Sequence, residues 1–230
     1  MTDNAIVTLR ELYKRFPAGK GTFTALKDIN LTFGKGEFSG IVGPSGSGKT
    51  TLLNIIGSLD TPTEGTATVL GKKINVLSQK EAAALRNNGI GFIFQTYNLL
   101  PVYTVYENVE FALLLQKISA PERKKRVMES LQWVGLADRA ASRPASLSGG
   151  ECQRVAIARA IVKRPALVLA DEPSANLDSA NSHHIVRTMK ELNRELGTTF
   201  LFSTHDEKVM QYLDRIIYLK DGAVEKDELC

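Results

Sequence analysis

Hydrophobic residues recur with strand spacing in the first third of the chain. Ile6, Val7 and Leu9 open the pattern, and a second, partly alternating run extends over residues 26–33. A third apolar run, residues 38–42, leads directly into a glycine-rich segment. Because alternation with a period of two is typical of half-buried strands, the N-terminal part is predicted to be rich in β-structure.

From Lys49 onward the hydrophobic spacing becomes helical. The apolar residues between Leu52 and Ile56 share one face of a predicted helix, which closes at Gly57 and is followed by a turn over residues 61–65. A strand, a glycine-rich loop and a helix are therefore predicted in that order.

The rest of the chain alternates predicted strands with predicted helices. The stretch after the strand at 90–94 is mostly helical for about seventy residues, with Pro121 in the first turn of a helix. Residues 166–170 are apolar on both faces, as in a central parallel strand that helices cover. A helix at 179–195 and strands at 199–203 and 215–219 complete the pattern, which predicts an α/β fold around a parallel sheet.

Composition narrows the possible functions. The chain has 230 residues, 43% of them hydrophobic, and its 29 Lys+Arg and 25 Asp+Glu give a net charge of +4. These charges are spread along the chain, so no nucleic-acid partner is expected. Every apolar run is shorter than the roughly 18 residues that span a bilayer, and no signal peptide is recognisable, so a cytoplasmic chain is expected. The two cysteines, Cys152 and Cys230, are expected to be free thiols.

Residues 43–50 form a phosphate-binding loop of the pattern G-x-x-x-x-G-K-T between the predicted strand and helix. Its glycines let successive N–H groups point at one anion, and the helix start adds a partial positive charge. The lysine reaches the terminal phosphates, while the threonine hydroxyl can bind Mg²⁺. The residues expected to bind the nucleotide are Gly43, Pro44, Ser45, Gly46, Ser47, Gly48, Lys49, Thr50 and Thr51.

Two acidic residues, Asp171 and Glu172, end the buried apolar run. Carboxylates at the carboxyl edge of a parallel sheet lie beside the crevice in which ligands bind. Asp171 is expected to hold Mg²⁺ through water, and Glu172 to take the proton of the attacking water. Two solvated acids before Pro173 are the simpler alternative, but the phosphate loop upstream favours the catalytic interpretation.

A second helix start contains Ser148, Gly149, Gly150 and Glu151. Ser-x-x-Glu is a capping box, which by itself explains the serine and the glutamate. Two glycines in a first turn lower helix propensity while exposing N–H groups toward an anion. One nucleotide loop with two phosphate-directed helix starts predicts a dimer in which each chain completes the site of the other.

Segments 43–50, 147–151 and 167–173 resemble the Walker A, signature and Walker B motifs of ABC-transporter ATPase subunits. The resemblance extends over nearly the whole chain. It implies a P-loop NTPase fold with a RecA-like mixed-sheet core, an N-terminal antiparallel β part and an inserted helical subdomain. The chain is then a single domain, 1–230, with a nucleotide-binding core at 1–94 and 165–230 and helices at about 95–164.

The resemblance also implies ATP as the substrate, Mg²⁺ as the cofactor and catalysis by Lys49, Glu172 and His205. Gln95 resembles the Q-loop glutamine and joins Thr50 and Asp171 as a metal-binding residue. The remaining implied roles are adenine stacking by Phe16, with Tyr13 as a competing stacker, and a D-loop that contains Asp178. The signature residues Ser148 to Glu151 are implied to act in trans, in an ATP-dependent homodimer.

The family further implies a separate transmembrane permease that holds this subunit at the inner face of the cell membrane. Segments 91–95, 97–101 and 107–109 resemble the lipoprotein-releasing, macrolide-exporting and FtsE-type branch. An FtsE-like ATPase that regulates a membrane or cell-wall partner without transport is the alternative function. Chromosome-maintenance ATPases fit poorly because no long coiled coil separates the motifs, and GTPases fit poorly because no Asn-Lys-x-Asp segment occurs.

Further expectations concern individual positions near the motifs. Glu151 replaces the glutamine usual in the family, so its charge should weaken nucleotide binding, although a helix start favours an acid there. The same helix start should acidify the Cys152 thiol. Four residues after Gln95 are expected either to face a partner or to pack internally: Tyr97, Leu99, Leu100 and Val102.

Overall fold

Two β-sheets and their covering helices make up the computed structural model, which describes residues 4–19 and 21–230. The strands are β1 Ala5–Ala18, β2 Gly21–Gly34, β3 Phe38–Val42, β4 Glu64–Val69, β5 Lys72–Lys73, β6 Ile90–Ile93, β7 Leu167–Asp171, β8 Thr199–Thr204, β9 Arg215–Lys220 and β10 Ala223–Leu229. The α-helices are α1 Lys49–Ile56, α2 Gln79–Gly89, α3 Val105–Glu110, α4 Ala120–Trp133, α5 Gly149–Ile161, α6 Ser179–Leu196 and α7 Glu207–Met210.

The N-terminal sheet is antiparallel, with the strand order β2-β1-β4-β5. Strands β1 and β2 form a long hairpin whose register places Phe16 opposite Phe23, two pairs before the turn. The predicted antiparallel β part is therefore confirmed. It brings two aromatic side chains to the end of the hairpin.

The second sheet has the strand order β10-β9-β3-β8-β7-β6. Neighbouring strands in this sheet run parallel, except for the antiparallel pair β9 and β10. The predicted mixed-sheet core is therefore confirmed. Strands β7, β8 and β3 are adjacent and parallel, so their carboxyl ends meet at one edge of the sheet. Residues that follow Val42, Ala170 and Ser203 therefore lie near one another although they are far apart in the chain.

Each face of the mixed sheet has its own hydrophobic core. On one face, the apolar residues of α1 pack between the two sheets, against Ile41 and Leu201. On the other face, the helices of segment 95–164 and α6 cover Phe38, Phe200 and Phe202, which form an aromatic cluster. The buried residues of α3, α4 and α5 belong to the same hydrophobic cluster as these strand residues, so the helical segment packs directly onto the sheet.

Helix α2 has no counterpart in the sequence-based prediction. It contains no buried residue, so its sequence lacks the apolar stripe from which a helix is recognised. Its start is fixed instead by a capping box between Ser78 and Glu81. Among the helices of residues 4–19 and 21–230, none combines the length and the hydropathy that a bilayer crossing requires.

Candidate functional site

The phosphate loop connects β3 to α1 and depends on glycine at three positions. Gly46 and Gly48 have φ of 79° and 105°, a left-handed backbone that side chains rarely adopt. At Gly43, a Cβ atom would lie 2.1 Å from the carbonyl oxygen of Leu219. These glycines therefore allow the loop to turn sharply against β9 and to present its N–H groups at the start of α1.

Lys49, the first residue of α1, is buried and folds its side chain back over this loop. Its Nζ donates hydrogen bonds to the carbonyl oxygens of Gly43 at 2.7 Å and Pro44 at 3.0 Å. The same atom lies 3.9 Å from Oε1 of Glu172. The ammonium is therefore held between the phosphate loop and the end of β7, where it can compensate phosphate charge.

Asp171, at the end of β7, contacts two hydroxyl groups. Thr50 Oγ1 donates to its carboxylate, 3.2 Å from Oδ1 and 3.1 Å from Oδ2, and Ser203 donates to Oδ1. Among the described residues, no cluster of three or more His, Cys, Asp or Glu could hold a metal ion by itself. One carboxylate beside one hydroxyl fits Mg²⁺, because this ion usually takes its other ligands from phosphates and water.

Glu172 has a strained backbone and an unusual side-chain environment. Its φ is 47°, and its N–H donates to the Ser203 carbonyl at 2.9 Å. Nδ1 of His205 lies 2.8 Å from Oε1, whereas Oε2 is buried and makes no hydrogen bond. A buried acceptor without a partner costs about 1–3 kcal/mol, so Oε2 is an unsatisfied acceptor at the end of β7. Strain of this kind is typical of functional sites.

A cavity of about 520 Å³ joins these groups, and most of the predicted nucleotide-binding residues line it. Its walls are Phe16, Phe23, Ala25, Ser45, Gly46, Gly48, Lys49, Thr50, Thr51, Gln95, Glu172 and His205. The predicted residues Gly43, Pro44, Ser47 and Asp171 do not line the cavity but lie beside it, in the loop and at the end of β7.

Two exposed aromatic side chains form part of the wall of this cavity. Phe16 and Phe23 both line it and are 37% and 56% exposed, whereas Tyr13 does not line it. The position of Phe16 therefore agrees with the predicted stacking role better than that of Tyr13. Phe23 was missed at the sequence level, although a short hairpin turn after Phe16 would have placed it on the opposite strand.

Gln95 follows β6 and reaches the cavity from the side of the helical segment. Its backbone carbonyl accepts a hydrogen bond of 2.9 Å from Nδ2 of Asn176, which precedes α6. Two further carbonyls of the same loop, those of Tyr97 and Asn98, accept hydrogen bonds from Arg159 of α5. The loop that carries Gln95 is thus tied to both α5 and the segment before α6.

The signature segment starts α5 with a complete capping box. Ser148 Oγ accepts from the N–H of Glu151 at 3.2 Å, and Oε2 of Glu151 accepts from the N–H of Ser148 at 2.8 Å. Oε1 of Glu151 lies 3.4 Å from Nη2 of Arg139. The hydrogen bond from the Ser148 N–H is the main cause that lowers the pKa of Glu151. The Glu151 carboxylate thus contacts its own helix start and an arginine, and both compensate its charge locally.

Close packing against α6 explains why position 150 is a glycine, which the sequence alone did not show. A Cβ atom there would lie 2.7 Å from Oδ1 of Asn181. Asn181 in turn donates to both carboxylate oxygens of Asp178, which caps α6, and its N–H is the main cause that lowers the pKa of Asp178. Asp178, the predicted D-loop aspartate, thus caps α6 and contacts Asn181, the residue against which Gly150 packs.

Within the chain, the signature residues and the cavity are separate. Among the described residues that line the cavity, none comes from positions 148–151. Ser148 and Gly149 are exposed at the start of α5. The structure thus leaves the signature segment open to a second molecule.

The expected acidification of Cys152 is wrong. Both cysteines are free thiols, as predicted, but Cys152 is buried one turn into α5 with its Sγ 3.8 Å from the Pro144 carbonyl. Burial raises the pKa of this thiol, and the charge of Glu151 raises it further. Desolvation at this position therefore outweighs the effect of the helix start.

The four hydrophobic residues after Gln95 divide between the two expected roles. Leu100 and Val102 are exposed, whereas Tyr97 and Leu99 are half-buried and Leu99 packs against the core. Exposed apolar residues continue along the following segment. We call the following set the apolar surface: Leu100, Val102, Tyr103, Phe111, Leu114 and Leu115.

Comparison with known proteins gives consistent matches. The family model for ABC transporters matches residues 26–175. An ABC transporter ATP-binding protein of Bacillus subtilis, YvrO, is 47% identical over 97% of both chains. The lipoprotein-releasing system ATP-binding protein LolD of Bacteroides thetaiotaomicron is 46% identical over 90% of this chain and 95% of its own.

Solved structures agree with these sequence matches. A dimeric structure of MJ0796, an ABC transporter cassette, superposes with a TM-score of 0.89 at 45% identity, covering 97% of this chain and 98% of that one. A second dimeric structure of the same cassette, in a post-hydrolysis state with bound ADP and Pi, gives the same TM-score. The MJ0796 sequence comes from Methanocaldococcus jannaschii.

Proposed function

The chain belongs to the family of ABC-transporter ATP-binding proteins, and we propose that two copies bind two ATP molecules between them and hydrolyse ATP to drive a separate membrane permease. The observation that supports this proposal is the arrangement of Lys49, Glu172 and His205 around one cavity. A buried cation, a carboxylate oxygen without a partner and a histidine that orients the carboxylate are the groups that ATP hydrolysis requires.

In this proposal, the loop N–H groups and Lys49 bind the β- and γ-phosphates, and Phe16 stacks on the adenine. Bound Mg²⁺, held by Thr50, Gln95 and Asp171, would supply charge neutralisation at the phosphate oxygens. Oε2 of Glu172 accepts the proton of the attacking water, because Oε1 is already engaged by His205. Nζ of Lys49 lies 3.9 Å from Oε1, so its positive charge attracts the carboxylate that acts as the base.

The second copy supplies the signature segment. Ser148, Gly149 and Gly150 do not line the cavity of their own chain, yet they begin a 13-residue helix whose N–H groups suit an anion. Two chains related by a twofold axis can place each signature segment on the γ-phosphate held by the other. The dimeric state of the MJ0796 cassette supports this arrangement.

The membrane partner is proposed to be a permease of the lipoprotein-releasing or efflux type, which holds the subunit at the inner face of the cell membrane. The similarity to LolD supports this branch. The apolar surface, which begins five residues after Gln95, supplies hydrophobic area of the kind that protein interfaces bury. The similarity to LolD favours transport over an FtsE-like function without transport, so transport is the function proposed.

Substitution of Glu172 tests the proposed chemistry. Glu172→Gln keeps the size of the side chain and one acceptor but removes the base, so hydrolysis should fall about 10²–10⁴-fold. ATP binding should persist, because Lys49 and the loop are unchanged. Phosphate release and equilibrium ATP binding are the two measurements, and Glu191→Gln on the exposed face of α6 is the matched control. Hydrolysis at the wild-type rate would remove Glu172 from the mechanism.

A further inference from the structure

Lys14 of β1 holds an ammonium group against one of the cavity aromatics. Its side chain is only 12% exposed, and its Nζ lies 4.9 Å from the ring centroid of Phe16. The same atom donates to Oδ1 of Asp60 at 2.5 Å and to the carbonyl oxygen of Thr61 at 2.9 Å. The ammonium therefore bridges the Phe16 ring and the loop that follows α1.

This loop is a rigid anchor because its backbone is tied to α1. The N–H groups of Leu59 and Asp60 both donate to the carbonyl of Asn54, at 2.8 and 3.2 Å. Oδ1 of Asp60 also accepts from the N–H of Thr61 at 2.7 Å. The carboxylate that binds Lys14 is thus fixed relative to the helix that begins at the phosphate loop.

We propose that Lys14 is a positioning residue for nucleotide binding, whose ammonium, anchored by Asp60, fixes the ring of Phe16 with one face covered and the other available to the adenine. The proposal rests on the stacking role of Phe16 in the proposed function. A cation over one face of an aromatic ring is attracted by its π-electrons, so the ring is held before the nucleotide arrives. A pre-positioned ring loses less conformational freedom on binding, which strengthens affinity.

The neighbouring residue offers a matched comparison. Arg15 also pairs with a carboxylate, that of Glu64, and its guanidinium carbon lies 5.1 Å from the ring centroid of Tyr13. Tyr13 does not line the cavity. Arg15→Met therefore removes a cation, an ion pair and a cation–π contact from the same strand without touching the ring proposed to bind adenine.

The test measures ATP affinity and steady-state hydrolysis of the full chain. Lys14→Met should weaken ATP binding and raise KM about three- to tenfold, the size expected of a partly desolvated cation–π contact, while kcat stays within about twofold. Asp60→Asn should have a similar but smaller effect, and Lys14→Arg should restore most of the affinity. Binding of inorganic tripolyphosphate, which has no base, should not change in Lys14→Met, nor should ATP binding in Arg15→Met.

A double substitution separates positioning from general destabilisation. In a Phe16→Ala background, Lys14→Met should cause no further loss of ATP affinity, because the ring that it positions is gone. A further loss there, an equal loss of tripolyphosphate binding, or wild-type ATP affinity in Lys14→Met would each overturn the proposal. Wild-type ATP affinity in Phe16→Ala would overturn it too, while leaving hydrolysis by Glu172, and hence the proposed function, intact.

Discussion

The thiols of Cys152 and Cys230 differ in their surroundings, and this difference decides their chemistry. Cys152 is buried with its Sγ near the Pro144 carbonyl, whereas Cys230 is exposed. Only the thiolate reacts quickly with electrophiles, and burial of Cys152 raises its pKa. Proximity to the signature segment along the chain therefore does not make Cys152 accessible.

A labelling experiment tests this difference between the two thiols. In the native protein at neutral pH, a maleimide should modify Cys230 rapidly and leave Cys152 unmodified, since Cys152 is both protonated and covered. Peptide mass spectrometry after timed labelling gives the two rates. Both thiols should react equally once the protein is unfolded in urea, which serves as the control. Equal rates in the native state would contradict the burial of Cys152.

At the scale of elements, three helices begin with the same capping motif. Helices α2, α3 and α5 each have a capping box in which a glutamate three residues after the cap accepts the N–H of the cap residue. The glutamates are Glu81, Glu107 and Glu151, and hydrogen bonds from Ser78, Thr104 and Ser148, respectively, are the largest cause that lowers each pKa. All three helices thus begin with an ionised acid that accepts a cap N–H.

These lowered pKa values predict a dependence of stability on pH. Because each carboxyl has a lower pKa in the folded than in the unfolded chain, its contribution to stability is full above the ordinary pKa of 4.5 and is lost as the pH falls through the folded pKa. Replacing all three glutamates with glutamine keeps an acceptor but removes the charge. The free energy of unfolding of this variant, measured in urea, should be lower than that of the wild type at pH 7.

The difference in unfolding free energy between the wild type and the triple glutamine variant should shrink as the pH is lowered. Below the folded pKa values, the three wild-type acids are themselves neutral. A variant with glutamine at Glu191, Glu195 and Glu207, three exposed acids outside the capping boxes, controls for loss of negative charge. An unfolding difference that is independent of pH would show that the boxes act through hydrogen bonding alone.

At the scale of the whole molecule, the proposed composite site has two parts, the cavity and the signature segment, and the signature segment does not line the cavity. The cavity lies at the carboxyl edge of β3, β7 and β8, whereas Ser148 and Gly149 stand exposed at the start of α5. Hydrolysis in a composite site requires that these two surfaces meet across a twofold axis. A variant that binds ATP without hydrolysing it should therefore accumulate as a dimer.

Size-exclusion chromatography with light scattering tests this prediction. Glu172→Gln should be a dimer with MgATP at micromolar protein and a monomer without nucleotide. Adding Ser148→Arg should abolish the dimer, because the bulky side chain blocks the helix start that would bind the γ-phosphate. Ser146→Arg, at an exposed position two residues earlier, should leave the dimer intact. A monomeric Glu172→Gln that binds ATP normally would contradict the composite site.

Local sequence determined the phosphate loop and its flanking elements. The glycines at 43, 46 and 48 and the apolar runs on either side act through neighbours in the chain, so strand, loop and helix could be predicted in order. The same holds for β7, whose residues 167–170 are apolar and buried because helices cover one face of the strand, and α1 with the N-terminal sheet covers the other. The fold class and most of the nucleotide-binding residues followed from these segments and from their resemblance to a known family.

The tertiary structure alone decided which distant side chains meet. Thr50 and Asp171 are 121 residues apart, and His205 and Glu172 are 33 apart, yet each pair is in contact because β3, β8 and β7 are neighbours in one sheet. Hairpin register placed Phe23 in the cavity, and packing buried the Cys152 thiol that a local rule had predicted to be acidic. Local patterns depend on neighbours along the chain, whereas contacts, burial and pKa depend on strand order and packing, which no short segment encodes.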